Sequence, residues 1–208
     1  MSKWIIPSLV SVLCAVSVSA QADSNDKKFF VGAGISAGSA THELKATGIG
    51  GSAKTEVDLD SSAGNIHIGF MLSNNNRFII SLESVGFEDD TGEELEASGI
   101  RLDWQFVYTE NQVKPYFGVG FGFYSSEDLA DLLNDIGIAN ESKIKGVSFQ
   151  LMGGVKITAS EQVEFDVNIQ SRAIGWQDVE VYSGSSKLGT FEQTTSDVTI
   201  GVGVDFKF

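Results

Sequence analysis

The sequence predicts an all-β fold, an eight-stranded antiparallel up-and-down transmembrane β-barrel with short periplasmic turns and longer extracellular loops. Three observations carry that prediction. Eight segments alternate apolar residues with polar or small ones, the links between them take turns between short and long, and aromatic residues gather at segment ends. Side chains on a strand alternate between two faces, so each segment offers one greasy face and one hydrophilic face. Strands of about ten residues, strongly tilted, cross an apolar band about 25 Å tall.

The first segment, residues 29–37, sets Phe29, Val31, Ala33, Ile35 and Ala37 against Gly32, Gly34 and Ser36. Residues 64–72 put Ile66, Ile68, Phe70 and Leu72 outward with Asn65 and His67 inward. The third segment begins at Arg77, with Phe78, Ile80 and Leu82 outward against Ser81 and Glu83; its phase fails near Val85 and Phe87, which suggests a bulge or the rim. Residues 98–108 alternate most clearly, Ile100, Leu102, Trp104, Phe106 and Tyr108 against Arg101, Asp103 and Gln105. Residues 115–124 place Phe117, Val119, Phe121 and Phe123 opposite Gly118, Gly120 and Gly122. Residues 146–157 set Val147, Phe149, Leu151, Val155 and Ile157 against Ser148, Gln150, Gly154 and Lys156. Residues 163–172 set Val163, Phe165, Val167 and Ile169 against Glu164, Asp166, Asn168, Gln170 and Arg172. The last segment, 196–208, is apolar at every second position from Val198 to a terminal Phe208.

The links decide between a sandwich and a barrel. Residues 73–76, 109–114 and 158–162 are short, whereas 38–63, 88–97, 125–145 and 173–195 are longer. Strict alternation puts both ends of the barrel chain on the short-turn side, as in transmembrane barrels. On that polarity Phe29, Phe70, Phe78, Phe106, Tyr108, Tyr116, Phe206 and Phe208 fall at the periplasmic rim. Phe87, Phe123, Tyr124 and Trp176 fall at the outer one. Aromatic rings suit the boundary of hydrocarbon and water.

Residues 1–22 read as a cleaved signal peptide, leaving 23–208 as the barrel domain. Lys3 supplies the positive end, 4–18 the apolar stretch, and Ala20-Gln21-Ala22 the small-residue cleavage site. Cys14 is the only cysteine and follows Leu13, which does not suit lipidation; no disulfide or thiolate chemistry remains after export. The formal net charge of −14 excludes nucleic-acid binding.

The sequences Phe30-Val31-Gly32-Ala33-Gly34, Pro115-Tyr116-Phe117-Gly118-Val119-Gly120 and Val204-Asp205-Phe206-Lys207-Phe208 resemble the small outer-membrane β-barrel family. That family includes OmpX, the Opa-type proteins and the membrane domain of OmpA. The likeness spans the whole exported chain and is specific for architecture, not for activity. It implies location in the cell outer membrane, contact with its lipid and lipopolysaccharide, and a monomer. It also implies recognition of Val204, Phe206 and Phe208 by the barrel-assembly machinery. The wall-binding domain of OmpA has no counterpart after the eighth segment, so no peptidoglycan tether carries over.

An eight-stranded barrel is just wide enough for side chains to fill it. The long inward groups are Glu83, Arg101, Asp103, Gln150, Lys156, Glu164, Asp166, Gln170, Arg172 and Lys207. Buried charges are costly unless paired. A polar network is therefore expected among Glu83, Arg101, Asp103, Lys156, Glu164, Asp166 and Arg172, filling the lumen as a plug.

Neighbouring Glu164 and Asp166 could serve acid–base work, but beside basic groups they read as structural. His42 in the first loop and His67 inward do not suit a lipid-acting serine hydrolase, and no His/Cys metal cluster exists. No catalytic residue, cofactor or metal is expected. The second loop holds Glu88, Asp89, Asp90, Glu93, Glu94 and Glu96. The third holds Glu127, Asp128, Asp131, Asp135 and Glu141 against Lys143 and Lys145; in it Leu129, Leu132, Leu133 and Ile136 recur at helical spacing after Ser125 and Ser126. The reading is a non-enzymatic envelope or surface-interaction protein meeting a host or cell-surface partner through acidic loops. The alternatives are a small narrow-pore channel and a lipid A-modifying enzyme.

Overall fold

The computed structural model describes residues 29–208 apart from 49–50, 74, 93, 109–110, 131–141 and 184–185. Nine strands form one antiparallel sheet: β1 (Phe29–Gly48), β2 (Gly51–Ser73), β3 (Asn76–Glu88), β4 (Glu94–Val107), β5 (Val113–Ser126), β6 (Ile144–Thr158), β7 (Val163–Trp176), β8 (Val179–Ser183) and β9 (Ser186–Lys207). Each strand pairs with the next as far as β7, β7 pairs with β9, and β9 returns to β1. Eight strands thus close a ring, with β8 a short flap on the upper part of β9. Within the ring no edge is free, whereas residues 51–59 of β2 pair with β1 alone and β8 pairs with β9 alone. At the lower rim the Phe208 amide donates to the Phe29 carbonyl at 3.0 Å.

The extra length lies on the outer side, but most of it is strand. Residues 38–63, expected as a loop, continue β1 and β2 to the pair Gly48–Gly51, where Gly51 takes φ 125°. Residues 173–195 likewise hold the end of β7, β8 and the start of β9. Between β3 and β4 only a tight turn remains, with the Thr91 and Gly92 amides donating to the Asp89 side chain and carbonyl. The ladder's hydrogen bonds need no lipid, so the barrel wall runs on into water.

Of the two readings of the phase failure at Val85 and Phe87, the bulge does not occur. β3 keeps its register through Val85–Ala97 and Phe87–Leu95, and both residues stay on the inward side with Glu83. Four rim aromatics are corrected with them: Phe87, Tyr116, Tyr124 and Trp176 are buried inside the barrel. Their strand parity matches inward Glu83, Gly118, Gly122 and Arg172. Phe29, Phe106, Tyr108, Phe123, Phe206 and Phe208 do face outward. Phe29 meets Phe70 edge-on at 5.2 Å, and Trp104 stacks on Phe106 at 6.2 Å.

Residues 128–130 are helical, and the Leu129 amide donates to Ser126 Oγ at 3.1 Å, so Ser126 is the cap. Leu132, Leu133 and Ile136 lie outside the described residues, as does the signal segment. His42, expected in a loop, sits on β1 with Nδ1 2.9 Å from Thr195 Oγ1.

Candidate functional site

The lumen is the candidate site, and it has two parts of opposite chemistry. Inward side chains on β2 to β7 and β9 supply the lower, polar part, and the inward glycines of β1 make room for them. Glu164 of β7 is fully buried and accepts from Arg77, Lys114 and Lys207, with Lys114 Nζ at 3.0 Å. Lys156 Nζ bridges Asp166 at 2.7 Å and Asp205 at 3.1 Å. Tyr116 Oη donates to Asp166 at 3.1 Å, and His67 Nε2 lies 2.8 Å from Asp205 Oδ1. Higher up, Arg101 donates to Glu83 at 2.8 Å and to Asp103 at 2.9 Å, while Gln150 donates to the other Asp103 oxygen. Arg172 joins Glu83 at 3.2 Å to Asp197 at 3.0 Å, and Tyr124 Oη donates to Glu83 at 2.5 Å.

All seven residues expected in the interior network are buried. They fall into two groups: Glu83, Arg101, Asp103 and Arg172 in one, Lys156, Glu164 and Asp166 nearer the periplasm. Arg77, Lys114, Asp197 and Asp205 complete them. Their inward parity was readable in the sequence, but which cation meets which acid was not. Arg77, Arg101, Lys114, Lys156, Arg172 and Lys207 face Glu83, Asp103, Glu164, Asp166, Asp197 and Asp205. The paired charges cancel, so the net −14 of the chain resides elsewhere.

Glycines make room for these groups. A Cβ on Gly120 would strike Asp103 Oδ1 and Gln150, and one on Gly69 would strike the Phe30 ring. Between the charged groups lies a cavity of ≈ 60 Å³ lined by Ser81, Gln105, Met152 and Asn168 among others. That is space for roughly two waters. Ser81 Oγ and Gln105 Oε1 have no protein partner in it, so water is the natural one.

Above Arg172 the interior turns apolar. Val85, Phe87, Ala97, Leu129, Ala130, Ile144, Ile174 and Trp176 pack into one buried cluster with Ala40, Leu59, Ala63 and Val179. The start of the third loop is lashed over it: Ser126 Oγ donates to the Glu96 carbonyl at 2.7 Å, and the Glu96 amide donates to Asp128 Oδ2 at 2.7 Å. Buried Ser61, Gln193 and Thr195 border this cluster, and Trp176 Nε1 donates to Thr195 Oγ1 at 2.8 Å.

On the outside, polarity is reversed at the same height. Ile66, Ile80, Leu82, Ile100, Leu102, Phe121 and Phe149 face outward below, whereas Asp60, Glu88 and Glu94 stand side by side on paired strands above. Among the described residues no group of His, Cys, Asp and Glu could hold a metal ion. Neither histidine faces lipid, and Glu164 and Asp166 are both engaged by cations.

Residues 8–208 match the family described as outer membrane protein beta-barrel domain. The chain belongs to that family. It resides in the cell outer membrane, among its lipid and lipopolysaccharide. Its fold is similar to that of the outer membrane protein OprG from Pseudomonas aeruginosa, with TM-score 0.52 and 13% identity over 87% of this chain and 96% of that one. It is also similar to outer membrane protein AlkL, solved in lipid bilayers, with TM-score 0.50 and 18% identity over 91% and 95%. The likeness to Neisserial surface protein A has TM-score 0.48 and 18% identity over 86% and 97%. No curated protein matches the sequence. The likenesses to OprG and AlkL show the barrel fold and leave the particular role of this chain to the chemistry of its own surfaces.

Proposed function

We propose that this barrel is a non-enzymatic, non-conducting outer-membrane protein that carries an acidic β-extension outside the cell for envelope stabilisation or surface interaction. The double closure of the lumen supports this reading above all. Among the described residues, paired charges fill the lower part and a mainly apolar cluster fills the upper part. The exterior of the extension is rich in carboxylates, Asp58, Asp60, Glu88, Glu94 and Glu96 all being exposed. A host or cell-surface partner would meet that face. Export through cleavage after Ala22 and recognition of Val204, Phe206 and Phe208 by the barrel-assembly machinery belong to the same reading.

Single-channel recording in planar bilayers tests it. The wild-type barrel is expected to give no unitary current, and a stable conductance would overturn the reading. A narrow channel is the second reading, favoured by the water-sized cavity beside Ser81 and Gln105. It requires the apolar cluster to open.

A further inference from the structure

The outer wall carries a second feature at the level where apolar gives way to polar. Strand register aligns Gly64, Ser84, Ser98, Ser125 and Lys145 as one outward row across β2 to β6. One step toward the periplasm, the same strands align Ile66, Leu82, Ile100, Phe123 and Val147. Small side chains above bulky apolar ones leave a groove of ≈ 660 Å³ on the barrel's flank. Lys145 stands at its edge. The other exposed lysines described are engaged by carboxylates: Lys45 with Glu192, Lys54 with Glu43 and Glu56, Lys143 with Glu127, and Lys187 with Glu180. Among the described residues Lys145 alone of this set has no ion pair.

We propose that this groove is a docking site for a phosphate-bearing glycolipid of the outer leaflet. The acyl chains lie along Ile66, Leu82, Ile100 and Phe123; the phosphate meets the Lys145 ammonium and the neighbouring Ser125 hydroxyl, and Ser98 and Ser84 further along the row face the sugar headgroup. Charge complementarity selects the occupant. The acidic extension just above repels anions, so an anionic headgroup gains at Lys145, which has no ion pair among the described residues. A neutral headgroup would have no reason to prefer it.

Native mass spectrometry of the full mature barrel in detergent tests this, with bis-phosphorylated lipid A and the same lipid after phosphatase treatment as probes. Wild type should bind the phosphorylated form more tightly, and Lys145→Glu should weaken that binding by about fivefold or more. Lys145→Arg should retain it. Lys54→Glu, which makes the same change in net charge on the extension, should leave it unchanged. Heat-modifiable gel mobility establishes that each variant is folded. Equal binding of both lipid forms by wild type, an unaffected Lys145→Glu, or an equal loss in Lys54→Glu would each overturn the site. So would a second copy of the chain occupying the groove, seen as a dimer that excludes lipid.

Discussion

The wall has two regions, a closed ring below and an extension above built mainly from the longer β1, β2 and β9 with β8, one turned inside out relative to the other. In the membrane half the wall is apolar outside and charged within. In the extension it is acidic outside and mainly apolar within, with Val85, Phe87, Ile174 and Trp176 at the centre and Ser61, Gln193 and Thr195 buried beside them. Along β7 the inward series passes from Arg172 to Ile174 and Trp176 without any change of register. Along β4 the outward series passes from Ile100 through Ser98 to Glu96. The difference teaches that solvent outside, not backbone geometry, dictates which face is greasy. Lipid demands an apolar exterior and leaves polar groups to be satisfied inside. Water permits the ordinary globular arrangement, with burial of apolar area as the driving force.

Breaking the lower half should cost most. Glu164→Gln leaves Arg77, Lys114 and Lys207 clustered without their shared acid, and removing one partner of a buried ion pair costs about 3–5 kcal/mol. Urea unfolding in lipid vesicles, followed by gel mobility, should show that loss. An unchanged midpoint would mean that water or another acid screens the three cations.

An outward charge sharpens the comparison along a single strand. Leu102→Arg places a cation on the lipid face and should destabilise by about 2–4 kcal/mol if it sits near mid-depth. Glu94→Arg, on the same face in the extension, should leave the unfolding midpoint unchanged. Equal effects would erase the distinction between the halves.

Ser126→Ala removes the cap of the third loop's helical turn and one tie to Glu96, a loss of about 1 kcal/mol. Its effect should stay local: faster proteolysis near residue 128 with the lipid-embedded half intact. Global loss of the folded gel form would contradict separable halves.

The smallest effect concerns pH. His42 lies in the extension, and burial pushes its pKa below 6.5 against a smaller opposing contribution from the Gln193 side chain. In the unfolded chain it takes up a proton near 6.5, before it does so in the fold. Its neutral form therefore contributes stability above that pH, and the contribution is lost as pH falls through 6.5 toward the depressed folded value. Protection factors of β1 amides near residue 42, corrected for the intrinsic pH dependence of exchange, should fall over that interval, and His42→Gln should flatten the response.

Much of this was legible in the chain. Alternation placed eight wall segments and assigned inward sides to Glu83, Arg101, Asp103, Lys156, Glu164, Asp166 and Arg172. It also carried the correct sides of Tyr116, Tyr124 and Trp176, which share parity with inward glycines and Arg172; aromatic chemistry at a segment end suggested the rim instead. Strand ends were not legible, because Thr, Ser, Asp and Lys in water give no hydropathy contrast to mark a strand.

By itself, then, the sequence determined the face that each side chain occupies, because a strand's period of two allows no other bookkeeping of sides. Only closure of the ring decided which residues meet. Arg77 and Glu164 stand 87 positions apart and touch because β1 seals onto β9 with a particular stagger. Stagger is set by the packing of the whole wall, so no local stretch of residues encodes it.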